Sequence, residues 1–120
     1  MLFAVLIYDV EGVFERLPDE EQAAILGKHR AVQSMLKEKD AYRGAVRLMP
    51  ASTAVHVREK AEQVLVLDGP FAESKEQIAG LYLVEAESMD LAVEAAKALP
   101  QGIAHMEVRP VAWGAETLSR

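Results

Sequence analysis

Apolar residues along this chain recur with two different periods, and these periods separate predicted strands from predicted helices. The run Leu2 to Tyr8 is apolar at nearly every position, which is typical of a strand covered on both faces of its sheet. From Pro18 to about Asp40 the apolar positions recur at helical spacing, and a second helical pattern follows Ser88. We therefore predict a central first strand and two amphipathic helices.

Both predicted helices begin with residues that suit a helix N-terminus. Pro18 fits a first helical position, and Asp19 with Gln22 three residues on resembles a capping box. Ser88 is the predicted N-cap of the second helix, with Asp90 in its first turn. We expect side-chain capping at both starts.

Short apolar segments fill the rest of the chain. Three of them, "GAVRLM", "TAVHVRE" and "QVLVLD", lie between Arg43 and Gly69 with short connections, which favours antiparallel hairpins. The segment "GLYLVEA" begins at Gly80, and "AHMEVRPVA" follows the second helix. This order predicts an α+β, ferredoxin-like fold with one extra strand, in which an antiparallel sheet carries two helices on one face.

The opposite face of such a sheet is predicted to be apolar as well. Leu2 to Tyr8, Val64 to Leu67 and Leu81 to Val84 are apolar at odd and even positions alike. Left in water, this face would form an unusually large apolar patch. A homodimer that packs two sheets face to face would bury it, and a long covering loop is the alternative. We predict the homodimer, because no segment looks long enough to be that loop.

Length, composition and charge restrict the class of protein. A chain of 120 residues fits one domain, residues 1–120, and 51% hydrophobic with 27% charged residues is typical of a globular protein. No apolar run is long enough to span a bilayer, and the start lacks the layout of a secretory signal, so we expect a cytoplasmic location without a membrane partner. A net charge of −6 repels a phosphate backbone, so no nucleic acid partner is expected.

Three histidines are the first candidates for chemistry. His29, His56 and His105 lie on three different predicted elements without metal-ligand spacing, and the chain has no cysteine. We therefore expect neither a metal nor a cofactor. His29 lies beside the apolar stripe of the first helix, where a hydrogen-bonded structural histidine is the alternative to a functional one.

The segment "VLDGPFAESKEQIAG" ends an apolar strand on a carboxylate. Asp68 needs donors or a partner charge at such a position, and Gly69 and Pro70 stop further ladder pairing. Considered by itself, Asp68 is best explained as a residue that shapes the turn by accepting backbone N–H bonds.

The longer motif "DGPFAESKEQIAGLYLVE" closely resembles the signature of the YCII-related family, in particular its DGPF subgroup. The segments "FAVLIY", "KHRAVQSML", "LMPASTAVHVRE" and "MEVRPV" also resemble their counterparts there, so the resemblance extends over nearly the whole chain. It implies a dimeric α+β barrel, in which ferredoxin-like domains pair through their sheets, and a proposed active-site pair matching His29 and Asp68. Leu17 and Val32 depart from residues that relatives often carry.

The implied pair has a clear physical meaning. A carboxylate beside His29 would raise the pKa of the imidazole and fix its tautomer, giving a group that moves protons near neutral pH. Further candidate contacts to an anionic small molecule, for which simple solvation is the alternative, are Arg58, Phe71, Lys75 and Glu76.

Two functions stay open from the sequence. One is a small-molecule enzyme that uses the pair of His29 and Asp68 for proton transfer. The other is a non-catalytic dimeric ligand-binding or regulatory accessory protein. The resemblance implies a link to an extracytoplasmic-function sigma factor for the second, because DGPF-type proteins are often encoded near such factors.

Overall fold

The computed structural model describes residues 1–69 and 75–114. In chain order its strands, helices and short 3₁₀ turn are β1 (Leu2–Val10), α1 (Asp19–Glu38), β2 (Tyr42–Arg47), the turn (Ala51–Thr53), β3 (Val55–Lys60), β4 (Gln63–Asp68), β5 (Glu76–Glu85), α2 (Met89–Ala98) and β6 (Ala104–Pro110). The predicted α+β class is confirmed.

Four strands form one antiparallel sheet in the order β2, β5, β1, β6. The first strand is central, as predicted, because Val5 lies opposite Tyr82 on one side and Val108 on the other. Two strand–helix–strand units interleaved in this order give the ferredoxin-like arrangement.

The core lies between the sheet and the two helices. Val5 of β1, Leu36 of α1 and Val84 of β5 have no exposed surface. Full burial of such a side chain contributes roughly 1.5–3 kcal/mol. The small side chains Ala92 and Ala95 are buried on the inner face of α2, where they allow the helix to approach the sheet closely.

The two helix starts differ from each other. Ser88 caps α2 as predicted, since its hydroxyl oxygen accepts a hydrogen bond from the backbone N–H of Asp90 at 3.4 Å. The capping box predicted for α1 is wrong. Pro18 occupies the cap position without a side-chain bond, and the side chain of Gln22 instead donates to the backbone oxygen of Leu17 at 3.0 Å.

The strands β3 and β4 form a separate two-stranded sheet, which we call the hairpin. The sequence predicts one extra strand, whereas the described residues contain two, β3 and β4, which pair with each other outside the main sheet. Val64 to Leu67 do not have two buried faces in this chain, because Val64 is 71% exposed and Val66 is 65% exposed. The opposite strand likewise leaves Val57 at 67% exposure.

The main sheet has one face covered by helices and one helix-free face. Tyr82 and Val84 are buried beneath the helices, whereas Leu81, on the other face, is partly exposed. Val46 pairs with Leu81 and lies on the same helix-free face with 55% of its surface exposed. The predicted apolar second face is therefore present in the main sheet.

Candidate active site

A cavity of about 260 Å³ lies between α1 and the end of the main sheet at which β1 finishes. Its apolar walls include Ile7, Phe14, Ile25, Leu26, Leu99, Ile103 and Met106. Its polar lining consists of Asp9, His29, Gln33, Arg47 and Tyr82. Apolar walls with a few convergent polar groups are typical of sites for small molecules.

Strand register brings the charged lining residues to one end of the sheet. Ile7 of β1 and Arg47 of β2 both lie opposite Gly80 of β5, and the β1–β5 register shifts just after Ile7, ahead of Asp9. A Cβ atom at Gly80 would collide with the carbonyl oxygen of Val46. The close approach of the two strands therefore requires glycine at this position.

The helix α1 supplies the imidazole from its inner face, because His29 lies four residues after Ile25 and three before the buried Val32. Its Nδ1 atom is 2.7 Å from the hydroxyl oxygen of Tyr82, and the two rings stack with centroids 5.9 Å apart. The Gln33 side chain donates to the same hydroxyl at 3.3 Å. These contacts hold the half-buried imidazole in one orientation.

The surroundings shift the pKa values of two lining groups, His29 and Asp9, in opposite directions. Burial and the nearby charge of Arg47 lower the pKa of His29 below its ordinary value of 6.5. Burial raises the pKa of Asp9 above 3.8, against the opposing effect of Arg47 and with a smaller contribution from Glu15. Perturbed groups that share one cavity are typical of functional sites.

The guanidinium of Arg47 lies at the mouth of the cavity. It stands 4.6 Å from the ring centroid of Phe14 and 3.1 Å from a carboxylate oxygen of Glu15. The two charged side chains are 57% and 58% exposed, and an ion pair so exposed contributes little to stability. A ligand carboxylate would therefore replace Glu15 on Arg47 at little cost.

The structure places the two residues of the predicted pair in different regions. His29 lines the cavity, whereas Asp68 ends β4 in the hairpin, exposed and opposite Val55. The described residues of one chain do not bring Asp68 into the cavity, so the pairing stays a prediction. Within one chain, burial and Arg47 lower the pKa of His29, and the rise expected from a neighbouring Asp68 stays a prediction together with the pair.

Three of the other predicted contacts, Arg58, Lys75 and Glu76, also lie away from the cavity lining. Arg58 is exposed on β3, and Lys75 is exposed just before β5. Glu76 begins β5, and its carboxylate is 2.6 Å from Nδ1 of His105 in an exposed pair. Phe71 lies outside the described residues.

Four polar lining residues are absent from the sequence predictions: Asp9, Gln33, Arg47 and Tyr82. The sequence carries a signal for Asp9, because it ends an apolar strand on a carboxylate in the same way as Asp68. Tyr82 carries no such signal, since it resembles an ordinary strand residue and its partner His29 is 53 positions away.

Together these features define a ferredoxin-like α+β domain with a polar cluster in a helix–sheet cavity. The chain belongs to the YCII-related family, since the YCII-related domain matches residues 1–113. It is also 37% identical over 115 residues to an uncharacterized protein of Rhizobium meliloti (strain 1021), with 93% of each chain covered. The family part of the predicted resemblance is confirmed.

Two further observations concern only residues 1–69 and 75–114. No helix in these ranges is both long and apolar enough to cross a membrane. The same residues contain no group of three histidine or acidic side chains close enough together to hold a metal ion.

Proposed function

We propose that this protein is an enzyme that transfers protons on a small organic acid bound in the cavity. The observation that carries the proposal is the convergence of His29, Asp9 and Arg47 in one cavity with apolar walls. The raised pKa of Asp9 supports it, because a general acid or base works best when its pKa lies near the working pH.

The cavity also supports a class of substrate. Arg47 would bind a carboxylate, and the apolar walls would contact a short hydrocarbon portion. A volume of about 260 Å³ lies at the small end for ligand sites, which favours a compact molecule. Isomerisation or lyase chemistry needs only proton transfer, and we propose a reaction of this kind.

We also propose a homodimer that packs through the helix-free face. The exposed Val46 and Ile78 support it, since both belong to the apolar surface that a second sheet would cover. Asp68 would act on His29 from a second copy, because among the described residues of one chain Asp9 is the carboxylate that lines the cavity. Placement in the DGPF subgroup and a cytoplasmic location stay proposals from the motif and the composition.

The proposed activity is testable without a known substrate. The protein is incubated in D₂O with a panel of small carboxylic and keto acids, and exchange of carbon-bound protons is followed by NMR. We expect exchange on at least one acid, and its loss in Asp9→Asn and Arg47→Gln. The matched control is Arg58→Gln in the hairpin, which should exchange normally. Absence of exchange from the whole panel would contradict the proposal.

A second candidate function is supported by the exposed apolar hairpin. Val57, Val64 and Val66 are each more than 60% exposed, which is unusual for strand residues of a protein that acts alone. They suit a non-catalytic dimeric accessory protein, for which the family resemblance implies an extracytoplasmic-function sigma factor link. Binding of an acid in the cavity without proton exchange would favour this function.

A further inference from the structure

The hydrogen bonds at the hydroxyl of Tyr82 have a direction, and that direction decides which nitrogen of His29 carries the proton. The Tyr82 hydroxyl has two described side-chain partners within hydrogen-bond distance, Nδ1 of His29 at 2.7 Å and the Gln33 amide nitrogen at 3.3 Å. The amide nitrogen of Gln33 only donates, and it occupies a lone pair of the hydroxyl oxygen. Among the residues that the structure describes, this leaves Nδ1 of His29 as the acceptor of the hydroxyl proton.

The bond lengths agree with this direction. The distance of 2.7 Å between the Tyr82 oxygen and Nδ1 is short for an N–H donor, for which about 2.9–3.0 Å is usual, and ordinary for an O–H donor. The longer 3.3 Å contact from Gln33 is the one made by an N–H group. An Nδ1 atom that accepts this bond carries no proton, so the neutral imidazole has its proton on Nε2.

We infer that Gln33 and Tyr82 act as positioning residues that hold His29 as the neutral Nε2–H tautomer, so that the imidazole offers the cavity ligand a hydrogen-bond donor instead of a base. This inference rests on the proposed function for its chemical meaning, although the tautomer is a property of the protein alone. The burial and charge that keep His29 neutral also support it.

The role of base then falls to Asp9. In the step that we assign, the Asp9 carboxylate removes a proton from the carbon next to a carbonyl group of the bound acid. The C–H bond breaks, an O–H bond forms on Asp9, and the electron pair moves to the carbonyl oxygen. Nε2–H of His29 donates to that oxygen as its negative charge develops. In a bound acid with a carbon–carbon double bond β,γ to that carbonyl group, the electron pair is shared with the γ-carbon. Return of the proton from Asp9 to the γ-carbon re-forms the carbonyl group and shifts the double bond, which completes an isomerisation.

The test is the tautomer itself, measured on ¹⁵N-histidine-labelled protein above the pKa of His29. Two-bond proton–nitrogen correlations distinguish a protonated from an unprotonated ring nitrogen. We expect an unprotonated Nδ1 and a protonated Nε2. The Gln33→Glu variant replaces the donor by an acceptor, so the Tyr82 hydroxyl turns around and the tautomer of His29 should invert. The control is Gln63→Glu, which adds the same charge in the exposed hairpin and should leave the tautomer unchanged.

A second variant protects the test against local misfolding. Tyr82→Phe keeps the ring and removes the hydroxyl, so His29 should become a mixture of tautomers, whereas Tyr42→Phe, beside Tyr82, should not change it. A proton on Nδ1 in the unmodified protein would overturn the inference, even if the enzyme proves active. The expected tautomer without proton exchange on any acid would instead leave the inference intact and remove the proposed enzyme.

Discussion

The cavity and the hairpin differ in which of their side chains are exposed to water. In the cavity, apolar walls surround a few polar groups, and His29 and Asp9 are partly withdrawn from water. In the hairpin, valine side chains face water on both strands, and Asp68 is exposed at the strand end. Partial burial is what shifts a pKa, so the cavity has the conditions for acid–base chemistry within one chain.

The recognisable sequence motif and the candidate chemical site lie in different regions of this chain. The "DGPF" motif that carries the family resemblance starts at the end of the hairpin, whereas the convergent polar groups lie on β1, β2, β5 and α1. A recognisable motif is therefore not sufficient evidence that its charged residue takes part in chemistry. Exposed apolar strands point instead to contact with another surface.

The largest expected effect is on the free energy of unfolding, which should depend much more on the core than on the hairpin. Leu36→Ala should lower the free energy of unfolding by about 2–5 kcal/mol, because it empties a fully buried position. Val66→Ala should change the free energy by no more than about 0.5 kcal/mol, since that side chain faces water in one chain. Urea denaturation at several protein concentrations measures both. A comparable loss at Val66 would show that the hairpin is buried in the native assembly.

The next prediction decides which apolar surface forms the proposed homodimer. Val46→Asp places a charge on the helix-free face and should convert the dimer to a monomer of about half the mass, while circular dichroism shows the fold retained. Val57→Asp places the same charge on the hairpin and should leave the dimer intact. Light scattering measures both masses. Dissociation of the hairpin variant alone would assign the interface to the hairpin.

A smaller effect is expected at the mouth of the cavity. Arg47→Gln should weaken binding of a small carboxylate by roughly tenfold or more, because hydrogen bonds to charged groups contribute about 1.5–3 kcal/mol. Arg58→Gln is the matched control, since it removes the same charge from the hairpin. Calorimetric titration of both variants measures the change. Equal weakening in the two variants would mean that overall charge, and not the cavity, attracts the acid.

The smallest effect concerns the pH dependence of stability. The folded-state pKa of His29 is lowered, so the unfolded chain takes up this proton first as the pH falls. The stability contributed by neutral His29 is thus fully present above about pH 6.5 and is lost as the pH falls through the folded-state pKa. His29→Gln should remove this loss of stability at low pH. The loss should remain in His56→Gln, a control variant in the hairpin. Thermal denaturation between pH 5 and 8 measures the stability of both variants. The same pH dependence in both would contradict the assignment of the effect to His29.

Local patterns in the sequence were sufficient for much of this fold. Helical and alternating periods depend on neighbours a few positions apart, so they predict the two helices, the central first strand and the inner position of His29. Ser88 as a cap is equally local, because its bond reaches only two residues ahead. The family resemblance is likewise carried by the residues themselves.

Only the tertiary structure decided which carboxylate shares the cavity with the histidine. Asp9 and Asp68 both end apolar strands and look alike in the sequence. Pairing in the main sheet carries Asp9 to the end beneath α1, whereas β4 pairs with β3 in a separate sheet and takes Asp68 with it. Tyr82 is a similar case, since its hydroxyl gains a role only when α1 packs on β5 and brings His29 within 2.7 Å. Such contacts join residues far apart in the chain, and local periodicity carries no record of which distant strands pair.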